Sequence, residues 1–401
     1  MRILFLSAWY PYPPTNGSEL RAYYLLRGLA ERHEVTALAL RPVQKTGIAT
    51  LPPLAGVDLR PAAADPFRYV GQPAWVRYAS PQPLSMWPIA ELRRALRDPG
   101  IADVPWDAVI AFQGPVARYV TMAEVRARVV DIDTSLSYQM LERYESAPGP
   151  AERVRTWVSW RKAAAAERRV LRSVDVATAV STHELGYLRR IAPSTCRLEH
   201  SPNGVDCEHH RPGLASPRPG SLVYNGAMTY SANYDAMQFF LRDVYPLVRA
   251  QVPGASLTIT GSTAGVDLAG LALDGSVRLS GYVDDIRSVI AGSAACVVPL
   301  RHGGGTRLKI LEAMALGVPV VSTRKGAEGL DVDDGEHLLL ADGPRDLAAA
   351  TVRLLQDSAL RARLASSARA LVEQRYDWRA IGAAFAALVE DSVARKRGDT
   401  P

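Results

Sequence analysis

Residues 302–321 read HGGGTRLKILEAMALGVPVV, three glycines followed at once by Arg307, Lys309 and Glu312 in a segment otherwise built from Leu, Ile, Met and Ala. The run sits between a strand-like ACVVPL (295–300) and a strand-like VPVVST (318–323), with a helix expected in between. Gly303, Gly304 and Gly305 let the backbone approach a ligand closely and present N–H groups at the positive end of the helix dipole, which suits a phosphate. Arg307 and Lys309 fall in the first turn, where they oppose the dipole and gain nothing locally. A doubly charged diphosphate outside the chain accounts for both. Glu312 lies within about a turn of Leu308, Met314, Ala315 and Leu316, so its carboxylate needs donors, because an unpaired buried charge costs several kcal/mol. Either Arg307 and Lys309 supply them, or the vicinal hydroxyls of a ribose do. Glycines for a diphosphate, cations for its charge and a glutamate for the pentose together describe a nucleoside diphosphate site.

The same alternation of strand and helix extends outward in both directions. RILFLSA (2–8) is a strand, SELRAYYLLRGLAER follows at helical spacing through Leu20, Tyr23, Tyr24, Leu26 and Leu29 with Ser18 as its expected N-cap, and HEVTALAL (33–40) returns as a strand. This β-loop-α-β opening predicts a parallel sheet with right-handed crossovers. DAVIAF (107–112), RVVDID (128–133) and VDVATAVS (174–181) continue it. SLVYNG (221–226), SLTITG (256–261), VRLSGY (277–282), ACVVPL, VPVVST and LLLA (338–341) make a second set, each flanked by helical stretches. The reading is α/β throughout, two doubly wound sheets, with the Pro/Gly/Ser-rich stretch 201–221 between them as the linker. The domains expected are 1–203, 204–380 and a closing amphipathic helix with a charged tail, 381–401. Residues 152–172, rich in arginine and carrying Trp157 and Trp160, read as a core-packing helix with a solvated basic face rather than a membrane-surface helix.

Bulk properties agree with two globular domains. A chain of 401 residues suits two lobes of about 200 each. With 48% hydrophobic and 22% charged residues, neither disorder nor a fibrous fold is favoured. The net charge of +6 resides in the first half, while the second half is nearly neutral. That asymmetry suggests an anionic partner for the first lobe, a phosphorylated acceptor, an anionic lipid surface or nucleic acid. Cys196, Cys207 and Cys296 are scattered without CxxC spacing, so inert thiols in a reducing compartment are expected. The start of the chain is too weakly apolar for a signal peptide and no window is long enough to span a membrane, so the expected location is cytoplasmic.

These residues resemble the retaining nucleotide-sugar glycosyltransferases of the GT-B fold, the family 4 or group 1 class. The resemblance covers nearly the whole chain: the first strand with PPTNGSELRAYYLLRGLAERHEV, then PNGVD, NGAMTYSANYDA, SGYVDD and GGGTRLKILEAMALGVPVVST. It implies two Rossmann-like domains facing a cleft, the first for the acceptor, the second for the nucleotide sugar, with the final helix crossing back. Glu312 matches the second glutamate of the family's E-x7-E motif, implied to hold the ribose. The first glutamate falls at Gly304, which leaves sugar recognition to the backbone of Gly303, Gly304 and Gly305, with Thr306 beside them. Relatives carry an Arg and a Lys after the first strand of this lobe. Here Gly226 begins GAMTYSANYDA with neither, so Arg307 and Lys309 are the implied replacements, as in the GGGTRLK subset. Tyr282 and Val283 match the place where the base is taken up by backbone, and Gly17 the loop that nears the donor phosphate. Asp133 stands where relatives place a histidine, either to polarise the acceptor hydroxyl or to cap the next helix. His183 is a further candidate beside a capping or loop role.

The function this implies is hexosyl transfer from a nucleoside diphosphate sugar, a UDP-sugar by resemblance, to an acceptor hydroxyl with retention of configuration. Arg307, Lys309 and the glycine N–H groups would stabilise the leaving diphosphate. No metal or other cofactor is expected, since DID at 131–133 matches a DxD pair in letters only. The acceptor is not legible; an anionic or lipid-linked one is expected, with peripheral contact at the inner face of the membrane, and no nucleic acid partner is expected. A GT-B sugar-nucleotide 2-epimerase or a non-catalytic nucleotide-sugar-binding protein are the alternatives. A dinucleotide oxidoreductase is disfavoured because neither lobe opens with GxGxxG.

Overall fold

In the computed structural model, which describes residues 1–42, 51–65, 71–303 and 307–397, seven strands of the first unit form one parallel sheet. They are β1 (Arg2–Ser7), β2 (Glu34–Arg41), β3 (Val57–Ala63), β4 (Ala108–Phe112), β5 (Ala127–Ile132), β6 (Val176–Ala179) and β7 (Arg197–His200), ordered β3-β2-β1-β4-β5-β6-β7. The order reverses between β1 and β4, the switch point at which open α/β sheets bind ligands beyond the carboxyl ends of their strands. β3 and β7 were not expected from sequence. Both are edge strands whose residues are largely half-exposed, so their apolar signal is weak.

The second unit holds β8 (Arg218–Asn225), β9 (Ser256–Thr260), β10 (Val277–Gly281), β11 (Ser293–Val298), β12 (Val320–Ser322) and β13 (Leu339–Leu340), ordered β10-β9-β8-β11-β12-β13, again parallel. Adjacent strand residues point to opposite faces. Leu222 and Tyr224 join one core cluster with Phe240 and Leu347, while Val223 joins another with Ile310, Leu311 and Met314. Both faces are therefore covered, as a parallel sheet requires.

The two units are Met1–Pro202 with Ile381–Pro401, and Asn203–Ala380. The stretch 201–221 is not a free linker. Val205 bridges to Asp377, Cys207 is buried, and the Arg369 guanidinium donates to the carbonyls of Cys207, His210 and Ala315. Its first part, 203–210, is thus held within the second unit, while Pro212, Gly213, Pro217 and Pro219 are exposed. In the first unit, Gly28 faces Gly382 so closely that a Cβ on Gly28 would lie 2.6 Å from the Gly382 Cα. Farther along the same helix (Trp378–Arg397), Glu390 meets Arg32 and His33 and Lys396 meets Asp175.

The helix Gly17–Ala30 is capped by Asn16, not by Ser18. Asn16 has extended backbone and its side chain accepts from the Glu19 N–H at 3.0 Å, while Glu19 accepts from the Thr15 N–H at 2.7 Å. Ser18 already lies inside the first turn. All three cysteines are free and buried, and burial pushes each thiol up to about 12. Among the described residues no helix is long and apolar enough to cross a membrane.

Candidate functional site

The carboxyl edge of the second sheet is built by tight turns. The Gly226 N–H donates to the Thr260 carbonyl at 3.2 Å, and the Gly261 N–H to the Gly281 carbonyl at 2.9 Å. Gly261 has φ +105°, and a Cβ there would meet the Ala227 nitrogen at 2.6 Å, so only glycine fits. A Cβ on Gly226 would come within 2.8 Å of both the Lys309 Nζ and the Asn233 Nδ2. Lys309 thus reaches from the first turn of the helix Leu308–Ala315 to the loop that follows β8. There its Nζ donates to the Tyr224 hydroxyl at 2.8 Å and the Asn233 Oδ1 at 2.9 Å, over the face of the Tyr224 ring.

One turn further along that helix, Glu312 accepts from the Asn225 Nδ2 at 2.8 Å. Burial pushes the Glu312 carboxyl up to about 7, against the pull of Lys309 and Asn225. Burial pushes the Lys309 ammonium down to about 7. Near neutrality each group therefore stands at its point of ionisation. An arriving anion would hold Lys309 charged, and a hydroxyl pair would hold Glu312 ionised.

Arg307 precedes the helix and folds back. Its guanidinium donates to the carbonyls of Gly303 at 2.8 Å and Lys325 at 2.9 Å and lies 3.5 Å from the Glu328 carboxylate. It thereby ties Gly303, at φ +101°, to the turn that follows β12. A Cβ on Gly303 would crowd the Ala232 methyl at 3.1 Å and the Tyr230 hydroxyl at 3.2 Å. Gly304, Gly305 and Thr306 lie outside the described residues. Tyr282 is 67% exposed after Gly281, and Val283 is half-buried.

In the first unit, Gly17 opens its helix half-buried, and the next residue, Ser18, donates to Asp133 at 2.5 Å. Asp133 also accepts from the Gln113 Nε2 at 3.1 Å, and the Gln113 Oε1 accepts from the Trp9 indole at 2.7 Å. Gln113 holds φ +73°, uncommon for a residue with a side chain. Asp133 does not cap the next helix. Ser135 does, accepting from the Tyr138 N–H at 3.2 Å. His183 is exposed in the first turn of the helix Thr182–Ile191, whose cap is Ser181. Asp131, the other acid of DID, is fully buried in a two-point pair with Arg21, both contacts at 2.7 Å.

The structure therefore gathers Gly226, Gly303, Arg307, Lys309 and Glu312 at one sheet edge, and Gly17 with Asp133 at another. His183 stands apart from the Ser18–Asp133–Gln113 cluster in these contacts. Tyr224, Asn225, Asn233 and Gln113 were not anticipated. The faint signal for the first three was the polar YN…N in a segment otherwise suited to strand and helix.

The two parallel doubly wound units, of seven and six strands, have the GT-B architecture. Residues 219–357, most of the second unit, match the family described as "Glycosyl transferases group 1". The chain is similar to sucrose-phosphate synthase from Thermosynechococcus elongatus, with a TM-score of 0.72 at 17% identity over 98% of this chain and 100% of that one. It is also similar to Anabaena HepE, solved with UDP and glucose, with a TM-score of 0.64 at 16% identity over 97% and 99% of the two chains. At these identities the likeness is one of fold. A glycogen synthase of Mycobacterium tuberculosis is 31% identical over 210 residues, 49% of this chain and 48% of that protein. The matched stretch spans about half the length of that relative.

Proposed function

We propose that this chain is a metal-independent glycosyltransferase that moves a hexose from a nucleoside diphosphate sugar, a UDP-sugar, to an acceptor hydroxyl with retention of configuration. The observation that carries the reading is the Lys309 and Glu312 pair on one helix, set against Gly226 and supported by Tyr224, Asn233 and Asn225. Glu312 holds the ribose hydroxyls. Lys309 neutralises the diphosphate from the place next to Gly226, after the first strand of this lobe. Arg307 holds the Gly303 carbonyl and adds its charge nearby. Tyr282 and Val283 offer backbone to the base. The rate gain comes from stabilising charge on the leaving diphosphate. In the first unit Asp133 polarises the acceptor oxygen, with Gly17 at the head of the neighbouring helix. The group 1 match over 219–357 and the UDP named with HepE support the donor class. The enzyme works in the cytoplasm, with peripheral contact at the inner face of the membrane.

A thermal-shift panel of UDP, GDP, ADP and TDP with their sugars tests the reading, because a true ligand raises the melting temperature by mass action. UDP compounds give the largest shift, and Glu312→Ala weakens UDP binding roughly tenfold to hundredfold, the worth of hydrogen bonds to a charged group. Unchanged affinity in that variant rejects the ribose assignment. Turnover undiminished in excess chelator supports metal independence, and loss restored by manganese defeats it. Product formed from the donor without any acceptor would point instead to an epimerase.

A further inference from the structure

The first unit contains a groove of about 830 Å³, within the size range of small-molecule sites. It runs between the turn Leu84–Met86, the helix Leu136–Glu145 and the N-terminal half of the helix Pro150–Leu171. Its position follows from the sheet. The Leu136 helix begins just after β5, and the Leu84–Met86 turn packs on Gly114 just after β4, where a Cβ would meet the Met86 methyl at 2.5 Å. The groove therefore lies toward the carboxyl edge, where open α/β sheets take their ligands.

Its walls divide by chemistry. Leu84, Leu136 and Met140 form an apolar side, and Arg143, Arg155 and Lys162 bring three cations. Glu152, also in the lining, lies 3.1 Å from Arg155. Arg155 and Lys162 are two turns apart on one helical face. Further along, the same face is buried at Ala163, Ala166 and Val170.

We infer that this groove binds the acceptor as an amphiphilic phosphate, its anion between Arg143, Arg155 and Lys162 and its hydrocarbon along Leu84, Leu136 and Met140. The acceptor is lipid-linked, its hydrocarbon held on that apolar side. Naming this ligand the acceptor rests on the transferase reading above; the binding chemistry of the groove does not.

Calorimetric titration of the full chain with octyl phosphate, octyl glucoside and inorganic phosphate tests the inference. Octyl phosphate binds about tenfold or more tightly than either of the others, and its affinity falls as salt rises. Arg143→Ala combined with Lys162→Ala lowers that affinity about tenfold while the UDP-glucose thermal shift stays unchanged, which also shows the variant folded. Should the double variant not fold, Arg155→Gln at an exposed position carries the same expectation at about threefold. Equal binding of octyl phosphate and octyl glucoside overturns the anion subsite. Inorganic phosphate binding as tightly as octyl phosphate overturns the apolar subsite and the lipid-linked source. Unchanged affinity in the variants overturns the location. A chain that binds octyl phosphate but no nucleotide sugar keeps the groove and loses the transferase reading.

Discussion

Near the carboxyl edge of the first sheet, Arg21 and Asp131 meet at two points 2.7 Å long with both side chains fully buried, and Thr178, Ser201 and Pro202 complete their hydrogen bonds. At the same edge of the second sheet, Lys309 and Glu312 lie three residues apart on one helix, and each meets neutral donors or acceptors, Tyr224 and Asn233 for one and Asn225 for the other. The first arrangement is self-sufficient. A buried ion pair of this geometry holds strands and helix in register and offers nothing to a ligand. The second leaves two charged groups at the margin of ionisation, which is where a ligand's charge does the most. The same strand order thus places a closed ion pair at one carboxyl edge and two separately partnered charges at the other.

The sharpest way to break this comparison is Arg21→Met. It strands the Asp131 carboxylate in the core and should cost about 3–5 kcal/mol of stability in the first unit, read as a lowered denaturant midpoint. If stability is unchanged, Arg21 is no strut. A smaller effect separates the second edge by pH. Donor binding needs Lys309 protonated and Glu312 ionised, and both titrate at about 7. Affinity for UDP-glucose should peak near neutrality and fall by up to about tenfold per pH unit on either side. The unliganded protein should show the reverse in stability. Between the ordinary glutamate value and 7 the native state holds the extra proton on Glu312, so stability falls as pH rises; above 7 the unfolded state holds the extra proton on Lys309, so stability rises again. A flat affinity profile from pH 5 to 9 would sink the assignment of either group. The smallest effect belongs to His183→Ala, an exposed position that should leave stability within about 0.5 kcal/mol and donor affinity unaltered. A loss of turnover there would return His183 to the chemistry.

How much was legible in advance follows physical range. The strands β1, β2, β4, β5 and β6 and the inner strands β8, β9, β11 and β12 announced themselves, because burial on both faces forces runs of Val, Ile, Leu and Ala into a short window, and the edge strands β10 and β13 were legible in VRLSGY and LLLA. β3 and β7 did not, since edge strands need no such run. The boundary between the units, Pro202/Asn203, falls within the Pro/Gly/Ser-rich stretch, but turn-forming residues look alike whether a loop is packed or free, and only Arg369, far along the chain, reveals that 207–210 is held. Ser18 was taken for a cap because Ser and Asn are equally suited to it, and the choice went to the residue with extended backbone, leaving the serine hydroxyl for Asp133.

By itself the sequence determined the alternation of strand and helix, the two parallel sheets that this alternation builds, and the run of glycines followed by Arg307, Lys309 and Glu312, because each of these is a property of neighbours along the chain. Only the tertiary structure decided which charges are satisfied and by whom. Asn225 meets Glu312 across 87 residues, Asn233 meets Lys309 across 76, and Arg21 meets Asp131 across 110. Such pairings leave no period or spacing in the sequence, since the packing of distant elements, rather than any local geometry, brings their atoms within hydrogen-bonding distance.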